Sequence, residues 1–175
     1  MKDKVKPTLV LTLICVIASV LLVFAYELTK ERIAEQKEKN FSSSVEALFG
    51  SNECRIVDLK NMPSNIETIA VTPDNKTAVQ VCTDGYSKGG INILVGIDEN
   101  GSVSGIEFIS LDETPGLGSK VRDEAGFRKQ FYGQSQPITS FDAISGATFS
   151  SNGMKEAVNS ALEVYIENKE EILGG

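Results

Sequence analysis

The chain opens with an uncharged run over residues 9–26, 18 positions that form a helix long enough to cross a hydrocarbon core of about 30 Å. Residues 27–40 are almost wholly polar, with Glu35 and Lys39 at i,i+4 spacing, which predicts a solvated helical stalk. Ser43-Ser44-Val45-Glu46 then reads as a capping box that opens a second helix, with an apolar stripe of Phe41, Val45, Leu48 and Phe49 and a stop at Gly50. Between residues 56 and 110 the period changes to two and turn residues become dense. Strands are predicted over 66–71, 77–82, 91–97 and 102–109, the first pair joined by Thr72-Pro73-Asp74-Asn75 and the second by Asp98-Glu99-Asn100-Gly101. Beyond a Pro-Gly loop the period becomes 3.6. A helix is predicted over 121–132, closed by Gly133, then a short strand over 137–141. A last helix begins near Ser150 or Ser151, its inner face Met154, Ala157, Val158, Ala161, Leu162, Tyr165 and Ile166. The pattern predicts an α+β fold: an antiparallel sheet with covering helices, preceded by one N-terminal transmembrane helix.

Charge gives that helix a direction. Lys2, Lys4 and Lys6 precede it against Asp3 alone, so the positive-inside bias keeps residues 1–8 in the cytoplasm and sends the chain beyond residue 26 outside, with Tyr26 as an interfacial anchor. A cleaved signal peptide is the alternative, since Val23-Phe24-Ala25 offers small residues for a peptidase; the apolar run exceeds the about 7–15 residues usual for one, so a retained anchor is expected. Residues 27–50 make the stalk and 51–175 the extracytoplasmic domain. Residues 27–175 hold 14 basic and 23 acidic groups, a net of −9, which argues against nucleic acid as a partner.

Candidate chemistry concentrates where the last helix begins. Ser145, Thr148, Ser150 and Ser151 put four hydroxyls within seven residues, with the small pair Gly146-Ala147 among them. Free N–H groups and the positive end of the helix dipole favour a phosphate there, and small residues let it approach the backbone. An ordinary cap and turn accounts for the same residues, and Ser150 and Ser151 look like caps. The earlier loop Glu113-Thr114-Pro115-Gly116-Leu117-Gly118-Ser119-Lys120 is open to two readings as well: a surface turn, or a wall against a flat ring, with Lys120 opposing a phosphate or the anion of a reduced ring.

Resemblance separates these readings. Asp142-x-x-Ser145-Gly146-Ala147-Thr148 is similar to the D-x-x-[ST]-G-A-[ST] flavinylation motif of the FMN-binding domain found in the G subunit of the Rnf complex and the C subunit of the Na⁺-translocating NADH:quinone reductase. Glu113-Thr114-Pro115-Gly116-Leu117-Gly118 resembles the signature that precedes that loop in the same family, and the match runs over roughly residues 79–161. Where family members often carry Gly-Tyr-Gly-Gly before the third strand, this chain has the longer Asp84-Gly85-Tyr86-Ser87-Lys88-Gly89-Gly90. The resemblance implies FMN bound covalently by a phosphoester to Thr148. Asp142, Ser145, Gly146, Ala147, Ser150, Ser151, Thr114, Pro115, Gly116, Leu117, Gly118 and Lys120 are then the cofactor-binding set. Asp142 either orients the loop, assists the transfer or makes an Asx-turn. A separate flavin transferase would form the bond from FAD with Mg²⁺.

By resemblance, the chain is an electron-carrying subunit of a membrane ferredoxin:NAD⁺ oxidoreductase of the Rnf type, coupled to Na⁺ or H⁺ translocation and assembled with other membrane subunits. The alternatives are a C-subunit-like part of the quinone reductase, a free-standing extracytoplasmic flavoprotein or, in another class, a non-redox membrane-tethered binding domain. The absence of histidine excludes His-dependent triads and His-ligated metals or haem, and no Cys-x-x-Cys pair is present among three scattered cysteines. Cys54 and Cys82 either form one disulfide or serve as buried hydrophobes. Dinucleotide glycine fingerprints are also missing, so NAD is not expected to bind here.

Overall fold

The computed structural model describes residues 2–174; the side chains of residues 2–6 and of Thr8 lie outside the described set, and with them the expectation placed on Lys2, Lys4 and Lys6. The chain divides into two units between Asn40 and Phe41. Helix α1 (Lys2–Phe49) contributes its residues up to Asn40 to the first and Phe41–Phe49 to the second.

In the first unit every described apolar side chain from Leu9 to Phe24 is exposed, and the helix is long and apolar enough to cross a membrane, with a mean hydropathy of 2.8 over its most apolar 18 residues. A helix apolar on all sides has no preferred protein-facing stripe, which is what lipid requires of it. The expected break between stalk and second helix is absent. Ser43 to Glu46 lie inside α1, because no glycine or proline interrupts the hydrogen-bond ladder there, and the helix stops only at Gly50, whose φ of 76° and N–H bond to Glu46 O (2.8 Å) close it.

The second unit is built on a five-stranded antiparallel meander, β1 (Arg55–Ile56), β2 (Ile66–Val71), β3 (Thr77–Thr83), β4 (Ile91–Ile97) and β5 (Val103–Leu111), each strand paired with the next in sequence. Both predicted hairpins are present; the two-residue β1 was too short to leave a periodic signal. Alternation sorts the strands into two faces. Ile69, Val79, Val81, Ile93, Val95 and Ile106 face the main core, shared with Met154, Ala157, Val158, Ala161, Leu162 and Tyr165 of α4 (Thr148–Glu167). Ala70, Ala78 and Leu94 face the other way, under Val45, Leu48 and Phe49. The Gly96↔Gly105 cross-strand pair forms the floor there: a Cβ at Gly105 would come within 2.8 Å of Leu48. Any larger pair would lift the helix end off the sheet.

Two predicted elements took other forms, each for a packing reason. The helix expected over 121–132 is broken at Glu124 (φ −88°, ψ 96°) into α2 (Lys120–Asp123) and α3 (Ala125–Lys129). On one unbroken helix, Val121 would point ~120° away from Phe127 at 100° per residue, whereas the break lets Val121, Phe127 and Phe131 all be buried. The segment 137–141 is not a strand. Its Ile138 N–H donates to Asn159 Oδ1 (2.7 Å) and Asn159 Nδ2 donates to Ile138 O (3.1 Å), so a side-chain amide from α4 stands in for a neighbouring strand. The chain ends in α5 (Lys169–Leu173), with Ile172 in the core.

Candidate functional site

Three segments meet at the N-terminal end of α4: the β3–β4 loop, the turn after β5, and the loop 142–147 that delivers the chain to Thr148. α4 lies close to the first of these because Gly153 has no side chain; its carbonyl accepts from Thr83 Oγ1 (3.0 Å), and a Cβ there would come within 2.9 Å of Ile91 Cδ1. Glu113, at the start of the second, is 8% exposed and accepts from the N–H groups of Tyr86 (3.2 Å) and Ser87 (3.0 Å) and from Ser150 Oγ. One carboxylate thus joins the first two segments to the first turn of α4.

They enclose a cleft of about 340 Å³ lined by Tyr86, Glu113, Thr114, Leu117, Gly118, Gly146, Ala147, Thr148, Phe149 and Ser150. That volume is within the range of ordinary small-molecule sites. Its rim is apolar and exposed. Tyr86 is 75% and Phe149 70% exposed, their rings edge to face at 6.5 Å, and Leu117 is exposed beside them. Large side chains left open to solvent at a cleft mouth offer surface for a flat ring.

The helix start is the polar end of the same cleft. Ala147 occupies the N-cap position and supplies no side-chain acceptor. Among the described residues, the N–H groups of Thr148, Phe149 and Ser150 donate to no protein atom, since the first helical bond is from Ser151 N to Ala147 O. Three orphan donors beside an exposed threonine hydroxyl form an arrangement a phosphate would satisfy. Gly146, at φ 80°, turns the chain into the helix in a conformation that a Cβ would strain.

Ser150 and Ser151 are not caps. They are 1% and 0% exposed: the first donates to Glu113, and the second accepts from Ile144 N–H (3.1 Å), so both hydroxyls point into the domain. Thr148 and Ser145 remain exposed, but on different sides of the loop. Ser145, Asp142 and Lys120 line a second cleft of about 560 Å³ with Gln130 and Phe127, and there Lys120 pairs with Glu124 at 4.0 Å rather than facing Thr148. Asp142 makes no Asx-turn. Its backbone is held from both sides by Gln130, whose Oε1 accepts from Asp142 N–H (2.9 Å) and whose Nε2 donates to Asp142 O (3.1 Å). Pro115 and Gly116 stand exposed at the tip of the turn, with Gly116 N–H on Ser119 Oγ (2.9 Å). Cys54 and Cys82 are half-buried, and burial pushes the Cys54 thiol above its ordinary value.

A family model for the FMN-binding domain matches residues 85–163, the stretch that supplies all three walls of the cleft. The chain carries an FMN-binding domain. It is also similar over most of its length to proteins named as the G subunit of an ion-translocating oxidoreductase complex. The protein of that name from Aliivibrio fischeri is 28% identical, covering 95% of this chain and 92% of its own; that from Pseudoalteromonas atlantica is 29% identical, covering 95% and 90%; that from Vibrio vulnificus is 28% identical, covering 83% and 82%. Within this FMN-binding domain the residues not foreseen as site residues are Glu113, Tyr86 and Phe149. Glu113 was legible only as the first letter of a turn, because its burial depends on Gly85, Gly90 and Gly118 from separate loops.

Proposed function

We propose that this protein is the G-type subunit of an ion-translocating oxidoreductase complex of the Rnf kind, an electron carrier whose FMN is held covalently by a phosphoester on Thr148. The observation that carries this reading is the sorting of the four loop hydroxyls: Thr148 alone is both exposed and on the cleft, while Ser150 and Ser151 are buried and Ser145 faces the other side. FMN, when bound, supplies the redox chemistry, and the protein supplies placement and electrostatics. The uncapped N–H groups of Thr148, Phe149 and Ser150 hold its phosphate, and Tyr86, Leu117 and Phe149 give its ring an apolar bed. A covalent tether prevents loss of a scarce flavin to an external volume while the cleft mouth stays open to a partner's cofactor.

A flavin transferase using FAD and Mg²⁺ attaches the group, with Asp142 kept at the loop's outer side by Gln130. The complex passes electrons between ferredoxin and NAD⁺ and couples them to Na⁺ or H⁺ movement. In the membrane the first eight residues stay cytoplasmic, 9–26 span, 27–50 make the stalk, and 51–175 lie outside, in keeping with the exposed apolar stretch of α1 and the lysines that precede it.

Production with and without the transferase tests the reading. The denatured band should fluoresce under ultraviolet light only when the transferase is present, and the mass of FMN less one water should map to the peptide holding Thr148. A colourless protein under those conditions defeats it. For topology, protease added to right-side-out vesicles should digest residues 51–175, and protection would reverse the orientation.

A further inference from the structure

Glu113 is an acidic side chain buried without a basic partner among the described residues, and the fold is built around it. Its carboxylate accepts the Tyr86 and Ser87 N–H groups of the β3–β4 loop and the Ser150 hydroxyl of α4, while its own backbone belongs to the turn after β5. Glycines make the room. A Cβ at Gly90 would come within 2.7 Å of Glu113 Oε1, one at Gly118 within 2.5 Å of Oε2, and Gly85 is closer still. The donors around this carboxylate are neutral, and hydrogen bonds from neutral groups add no opposite charge. Burial away from water then lets the carboxylate's charge act on whatever shares the cleft.

We propose that Glu113 is a positioning residue with two consequences: it fastens the Tyr86 loop and the first turn of α4 into one cleft, and its fixed negative charge holds the potential of the flavin in that cleft low. The second consequence rests on the reading of the cleft as the FMN site. Adding electrons to a group beside a fixed negative charge is opposed by it, so neutralising Glu113 shifts the midpoint potential in the positive direction.

Two substitutions in the full-length protein, made with the flavin transferase, separate charge from clamp. Glu113→Gln keeps the size, removes the charge, and turns an NH₂ donor toward groups that are themselves donors. Its flavin should titrate at a more positive potential than wild type, and the Tyr86 and Ser87 amides should exchange about tenfold faster or more while the β3 and β4 amides stay protected. Glu113→Asp keeps the charge but draws it back by one methylene. Its potential should stay close to wild type while the same two amides lose protection. A Glu113→Gln protein with an unchanged potential overturns the electrostatic half, and unchanged exchange at Tyr86 and Ser87 in both variants overturns the clamp. The exchange measurement needs no flavin, so it decides the clamp even if wild type takes up none, an outcome that would defeat the proposed function instead.

Discussion

Helix α4 begins at Thr148 and ends at Glu167, roughly 30 Å further along, and its two ends are finished in opposite ways. At the C-terminal end Asn168 gives both its backbone N–H (3.1 Å) and its Nδ2 (2.9 Å) to Val164 O, and Lys169 lies over the Tyr165 ring at 5.7 Å. At the N-terminal end no side chain caps the helix, and the serines that could do so are turned inward. Leaving an N-terminus uncapped costs about 1 kcal/mol, a cost that a phosphate bound in the cleft at that end would recover. The same helix also buries hydroxyls near both ends. Ser150 is matched to Glu113, whereas Tyr165, 2% exposed, has an OH without a partner among the described residues.

The largest effect should come from Thr148→Ala, which is expected to abolish covalent flavin while leaving the thermal midpoint nearly unchanged; Ser145→Ala, across the loop, should retain the flavin. Peptide mass spectrometry that finds FMN on Ser145, Ser150 or Ser151 would erase the contrast between the exposed and the buried hydroxyls. Next in size is Ser150→Ala. Removing a donor from a buried carboxylate should cost about 1–3 kcal/mol in denaturant unfolding of the detergent-solubilised chain, and a neutral result would mean that Glu113 is satisfied without it.

Tyr165→Phe should behave differently, because deleting an unpartnered buried hydroxyl removes a desolvation cost. Stability should stay level or rise by up to about 1 kcal/mol; a loss as large as that of Ser150→Ala would show that the two ends are satisfied alike. The smallest effect is confined to alkaline pH. Burial, and then the charge of Asp98, pushes the Tyr165 hydroxyl above its ordinary value of 10.0, so the folded chain holds this proton more tightly than the unfolded one. That contribution is complete below pH 10.0 and is lost as pH rises beyond it through the folded value. Unfolding curves at increasing pH should therefore fall more steeply for wild type than for Tyr165→Phe, and parallel curves would remove Tyr165 as the cause.

Much of this molecule was legible in its residues alone. Period two over 66–71 and 91–97, with Thr72-Pro73-Asp74-Asn75 and Asn100-Gly101 between the runs, specifies hairpins because turn chemistry and side-chain alternation act over a few residues. The inner face of α4 followed from 3.6-residue spacing at six of the seven named positions, Ile166 being exposed where Val164 is buried, and the membrane-length apolar run followed from composition. Among the expectations that failed, one local signal was overridden by helix continuity and another by a tertiary contact. Ser43-Ser44-Val45-Glu46 has a capping-box composition but lies mid-helix, and 137–141 has strand composition but found Asn159 instead of a strand.

From sequence alone came the two hairpins, the last helix, the order of these elements and the α+β class, all short-range properties that neighbouring residues impose on one another. The tertiary structure alone decided which hydroxyl faces the cleft, that Gln130 rather than a turn holds Asp142, and that Glu113 is enclosed by glycines from two separate loops. Those outcomes depend on residues 12 to 37 positions apart meeting in space, and no periodicity along a chain records which distant backbone will arrive beside a given side chain.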